Sequence, residues 1–212
     1  MAGAPALGPD RTERVARRFG RLLRAHRLPD TQMMMITTRR ATLAFLSLAA
    51  MLGGCAAPLA PSDFGNGAPQ MRPELFFAGT TRSRGVMSNG SGAPTRRFRV
   101  EGLGTALPDG SFRLDQTVVF EGKAPEKRTW SMQRLDAHRY TATLTDASGT
   151  VNAEAYGNVF HLRYPMKTPL GGEMEQWLYL QPDGRTVMNE ATVRVFGIVA
   201  AHLSEQIVRD DR

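Results

Sequence analysis

An antiparallel all-β fold is the class this sequence predicts, and three observations predict it. From Arg96 onward, turn signals recur about every 10 to 14 residues. The stretches between them alternate apolar and polar side chains with a period of two. No long stretch carries a helical period, and no strand–helix–strand rhythm appears.

The chain does not begin with that texture. Residues 1–32 hold seven arginines and three acids and precede the triplet Met33-Met34-Met35. They read as an extension ahead of the true start. The alternative is an arginine-rich amphipathic leader with Val15, Phe19, Leu22 and Leu23 on one side, suited to anionic lipid or nucleic acid. Residues 33–54 read as an export signal: Arg39-Arg40, an apolar run from Ala41 to Leu52, then Gly53-Gly54 and Cys55, the only cysteine. The run is shorter than the roughly 20 residues of a membrane span and has no amphipathic stripe. Leu52-Gly53-Gly54-Cys55 matches a bacterial lipobox, in which the cysteine receives a diacylglycerol and, after cleavage, an N-acyl chain such as palmitate. The expectation is a protein lipid-anchored at Cys55, with Ala56 directing it to the outer membrane facing the periplasm. Arg39-Arg40 match a twin-arginine signal only loosely, so Sec export is expected.

Residues 55–72, rich in Ala, Pro, Gly and Ser, read as a flexible tether. A single domain is expected over 73–212, with a loose stretch from Ser83 to Pro94. Strands follow. Leu114, Val118 and Phe120 alternate with Arg113, Asp115 and Thr117; Trp130 and Met132 with Thr129, Ser131 and Gln133; Tyr140, Ala142 and Leu144 with three threonines. Gly157-Asn158 predicts a two-residue hairpin turn. That register sets Ala155 against Phe160 and Ala153 against Leu162 on an apolar face, and Glu154 against His161 and Asn152 against Arg163 on a charged one. In the next strand Trp177 and Tyr179 oppose Met174, Leu178 and Leu180, so both faces are apolar and another segment should cover one. About nine strands result. Closing them on themselves removes the edges, so an up-and-down barrel of lipocalin-like form is expected, with a two-sheet sandwich as the alternative. Outer faces carrying Arg, Lys and Glu exclude a transmembrane barrel.

Composition narrows the function. The formal charge of +7 would suggest nucleic acid. From Cys55 on, however, the chain has 18 basic and 17 acidic residues, 18 − 17 = +1, so no nucleic-acid partner is expected. Neither a phosphate loop, a Gly-x-Ser-x-Gly elbow nor a His-Glu-x-x-His is present. The four histidines are scattered, His161 is expected to pair with Glu154, and His161 with His202 make a poor metal site. Asp115 and Glu121 point outward. No cofactor, metal or catalytic group is expected. The aromatic set either fills the core or, with Trp130, Tyr140, Ala142, Phe160 and Tyr164, lines an apolar pocket for a fatty-acyl or similar ligand. The competing expectation is a filled barrel that contacts an envelope partner.

One resemblance adds to this. Phe77-x-Gly79, Arg97-Phe98, Gly110, Arg128-x-Trp130, Asp146, Gly157-Asn158, Tyr164, Trp177-x-Tyr179, Asn189 and Phe196-Gly197 resemble the proteobacterial lipoprotein family known as domain of unknown function 3833. Gln176 and Val195 depart from it, where an acid and a lysine would be expected. The resemblance implies an envelope lipoprotein and no particular reaction.

Overall fold

The computed structural model describes residues 58–210. The leader, the signal-like run and Cys55 lie outside them. Ten strands follow one another as an antiparallel meander: β1 (Gly79–Asn89), β2 (Pro94–Ala106), β3 (Phe112–Phe120), β4 (Glu126–Arg134), β5 (Arg139–Leu144), β6 (Val151–Tyr156), β7 (Val159–Pro165), β8 (Glu173–Leu180), β9 (Thr186–Val195) and β10 (Ile198–Arg209). Each pairs with the next, and β1 pairs with β10, so the sheet closes into a barrel. A sandwich is excluded.

The predicted alternation sets the two faces. Phe112, Leu114, Tyr140, Ala142, Leu144, Leu162 and Leu178 are buried inside. Arg113, Ser131, Gln133 and Arg163 stay at the surface. The hairpin at Gly157 adopts the expected register, with Ala155 opposite Phe160, Ala153 opposite Leu162 and Glu154 opposite His161. Gly157 has φ +51°, as a primed turn requires.

Three expectations are corrected. The loose stretch from Ser83 is β1, whose every second residue from Thr81 to Met87 faces inward; its glycines and serines had masked the period. That strand makes the count ten rather than nine. Third, residues 58–72 are no free tether. A 3₁₀ turn at Pro61–Phe64 lays Phe64 against Trp177 and Tyr179, with ring centroids 6.1 and 5.7 Å apart. This is the cover that the two-faced apolar strand required. Met71 donates its N–H to the Gly157 carbonyl at 2.6 Å and is buried. Of the three large apolar side chains in the stretch, Leu59 is exposed, and Phe64 and Met71 are enough to dock it.

One end of the barrel is plugged. A one-turn helix, α1 (Pro73–Phe76), places Phe76 and Phe77 edge to face at 4.9 Å inside that end. Gly104 makes room for them: a Cβ there would lie 1.9 Å from the Phe77 carbonyl oxygen. The β1–β2, β3–β4, β5–β6, β7–β8 and β9–β10 turns all lie at the other end, by the alternation of strand direction.

Candidate functional site

Ten strands enclose more space than the eight that side chains fill comfortably, and several inward positions here are small. Ala142 and Ala153 stand among Leu114, Leu162 and Leu178. The result is a cavity of about 110 Å³ lined mostly by apolar groups, among them Phe98, Phe112, Val118, Met132, Phe160 and Met174. At its far side lies the plug. At its mouth side Arg128 lines the cavity, and its side chain is 29% exposed.

Of the residues singled out from sequence, Trp130, Ala142, Phe160 and Tyr164 line this cavity. Tyr140 does not. It sits in the plugged end, edge to face with Phe160 at 5.7 Å, and its hydroxyl donates to Glu74 Oε2 of α1 at 3.2 Å. Burial, with the Glu74 charge beside it, pushes its phenol up to about 12. The plug occupies the space that Tyr140 would otherwise border.

The cavity also carries a polar seam that sequence reasoning missed. Ser83 (β1) donates its hydroxyl to Glu205 Oε1 (β10). Asn189 (β9) donates from Nδ2 to Glu205 Oε2 at 2.9 Å and to Gln176 Oε1 (β8) at 3.1 Å. Gln176 in turn donates to the Tyr164 hydroxyl (β7) at 3.0 Å. Tyr164 meets Trp130 edge to face at 5.7 Å, and the Trp130 indole N–H donates to Gln116 Oε1 at 2.9 Å. Burial holds the Tyr164 phenol up at about 12, so it stays neutral. Arg128 Nε lies 2.5 Å from Asp146 Oδ2. A signal for the seam existed. Gln116, Gln176, Asn189 and Glu205 each occupy the apolar phase of an alternating strand, flanked at ±2 by apolar residues.

On the outer wall, His161 pairs with Glu175 at 3.1 Å and not with Glu154 as expected, because Arg163 and Arg194 already fix that carboxylate at 2.7 and 2.8 Å. Burial raises the Glu175 carboxyl, but the hydrogen bonds from Arg163, His161 and Arg194 outweigh it and hold the group at about 2. His161 and His202 stand on β7 and β10, separated by two strands. Among the described residues no three His, Cys, Asp or Glu side chains gather as metal ligands.

A closed up-and-down barrel, plugged at one end and hollow within, defines a lipocalin-like architecture. In the same architecture is the S-type phycobiliprotein lyase CPES from Guillardia theta, which this chain resembles with a TM-score of 0.52 at 12% identity, over 73% of this chain and 99% of that one. That likeness speaks to the fold alone. The chain belongs to the family described as Protein of unknown function (DUF3833), whose model matches residues 49–209. No curated protein matches.

Proposed function

We propose that this protein is an envelope lipoprotein whose barrel binds an apolar, fatty-acyl-like ligand, and that it acts by binding rather than by catalysis. The observation that carries the binding reading is the cavity of about 110 Å³ beside Ala142 and Ala153 inside the barrel. The anchoring rests on the sequence of the lipobox at Cys55. Two or three acyl chains, at about 0.8 kcal/mol per buried methylene, hold a protein at a membrane durably.

The cavity is smaller than the several hundred Å³ of an ordinary ligand pocket. An alkyl chain needs some lining side chains to move, and Met132 and Met174 are the pliable ones. The same smallness favours a second reading, a nearly filled barrel that contacts an envelope partner. Leu170, Phe196 and Ile198, all at the mouth end and all exposed, would serve such a contact.

Native mass spectrometry of protein from its own host separates the two. A co-purifying lipid beyond the Cys55 modification, lost in a folded Ala153→Trp variant, supports binding. An empty barrel whose melting temperature ignores added lipid sinks it. For the anchor, Cys55→Ser should leave the membrane fraction; fractionation like wild type overturns it.

A further inference from the structure

Asn189 is the central residue of the polar seam and is only 3% exposed. Both protons of its amide nitrogen are committed, one to Gln176 Oε1 and one to Glu205 Oε2. This fixes the amide orientation, since the flipped form would set a carbonyl against a carboxylate. The remaining atom, Oδ1, is buried and has no hydrogen-bond partner, and Asn189 is one of the residues that line the cavity. A buried acceptor without a donor is costly, and native proteins rarely leave one so.

The charges around it are lopsided. Arg128 is paired in charge with Asp146, its Nε 2.5 Å from Oδ2, although the contact lacks hydrogen-bond geometry and leaves Nε a buried donor without a partner. Glu205 accepts from Ser83 and Asn189, but among the described residues no base forms an ion pair with it. The seam therefore presents to the cavity an unused acceptor beside an uncompensated negative charge.

We propose that the cavity selects apolar ligands bearing an uncharged hydrogen-bond donor, a hydroxyl or an amide N–H placed on Asn189 Oδ1, and discriminates against free carboxylates. This rests on the binding reading above. The donor completes the last valence of the seam. A carboxylate at the same place brings no proton to Oδ1 and sets a second anion beside Glu205. Sites built to hydrogen-bond a ligand group reject the analogue that lacks it, because the site's own polar atom is then left bare.

Three probes with one chain length separate donor from charge: 1-decanol, methyl decanoate and decanoate, titrated at pH 7 and followed by Trp130-sensitive fluorescence and calorimetry. Decanol should bind about tenfold more tightly than the ester, the worth of one satisfied buried acceptor. Decanoate should be weaker than the ester. Asn189→Leu should erase the preference for decanol over the ester, and Glu205→Gln should narrow the gap between decanoate and the ester. Should Asn189→Leu fail to fold, the Glu205→Gln comparison and the three wild-type affinities still decide. Decanoate binding as well as decanol, with Arg128 seating it, overturns the proposal and leaves the binding reading standing. Equal affinity for all three does the same. No binding by any probe overturns both.

Discussion

Ala142→Leu tests whether the barrel is hollow. Ala142 opposes Met132 on β4 and Val151 on β5's other neighbour, β6, and it lines the cavity. A void of about 110 Å³, at ~24 cal/mol per Å³, forgoes ~2.6 kcal/mol of stability. Leucine adds three carbons, and at ~0.8 kcal/mol for each buried methylene they recover ~2.4 kcal/mol. The two estimates agree. Allowing for imperfect fit, the variant should gain about 1–2 kcal/mol, which for a domain of this size raises the melting temperature by about 2–8 °C. Urea denaturation of both proteins, freed of ligand, measures it. The same variant should bind decanol at least tenfold more weakly, since the chain's space is occupied. A more stable protein that has lost its ligand is the signature of a cavity kept for function. If Ala142→Leu instead destabilises by 1 kcal/mol or more, as overpacking does, the interior is full and the binding reading loses its basis.

Glu175 sets an acid limit. Its folded value of about 2 lies below the ordinary 4.5, so its contribution is present above pH 4.5 and is lost as pH falls toward 2. The full shift would be worth ~3 kcal/mol; the exposure of Arg163 and Arg194 screens this to about 1–2. Glu175→Gln should cost that much at pH 7 and much less at pH 3, by urea midpoints; an equal cost at both would refute the pairing. Gly104→Ala should cost ~3 kcal/mol or more, because its methyl would strike the Phe77 carbonyl and the Phe112 ring; a neutral result would mean that the plug is not seated there. Phe64→Ala should cost about 1–2 kcal/mol, since its ring is only partly buried, and redden Trp177 emission as its cover leaves; unchanged emission would show that the 3₁₀ turn does not pack there.

The strands and one hairpin register were legible because alternation and turn chemistry are local. Tyr140-Thr-Ala-Thr-Leu and the Gly157-Asn158 turn carry their fold in a few residues. β1 was not legible: Thr81, Ser83 and Gly85 face inward, yet none is apolar, and their burial comes from closure against β2 and β10. The docking of residues 58–72 escaped for a similar reason. Phe64 and Met71 are isolated in their own segment and find partners about a hundred residues away. At the site, the apolar lining was accessible because large and small residues alternate across strands. The seam was not, because a Gln or Asn in an apolar phase announces itself as an exception and gives no partner. Tyr140 and Trp130 look alike in sequence; α1 alone assigns one to the plug and the other to the cavity.

The pairing of β1 with β10 brings the two ends of the barrel side by side. Thr81 faces Arg209, and the Asp210 N–H reaches the Thr80 carbonyl at 3.0 Å. Folding must therefore close a loop of almost the whole domain before the last seam forms, a high contact order that predicts slow assembly. Until then both outer strands expose free edges to other copies, so the half-built barrel is the aggregation hazard, not the finished one. The same adjacency makes the domain a good subject for circular permutation. With Asp210 linked to Pro58 ahead of the docked segment and the chain reopened at the exposed Pro108-Asp109-Gly110 turn, β10 and β1 become consecutive strands of the permuted chain. The permutant should reach the same barrel by a shorter entropic route.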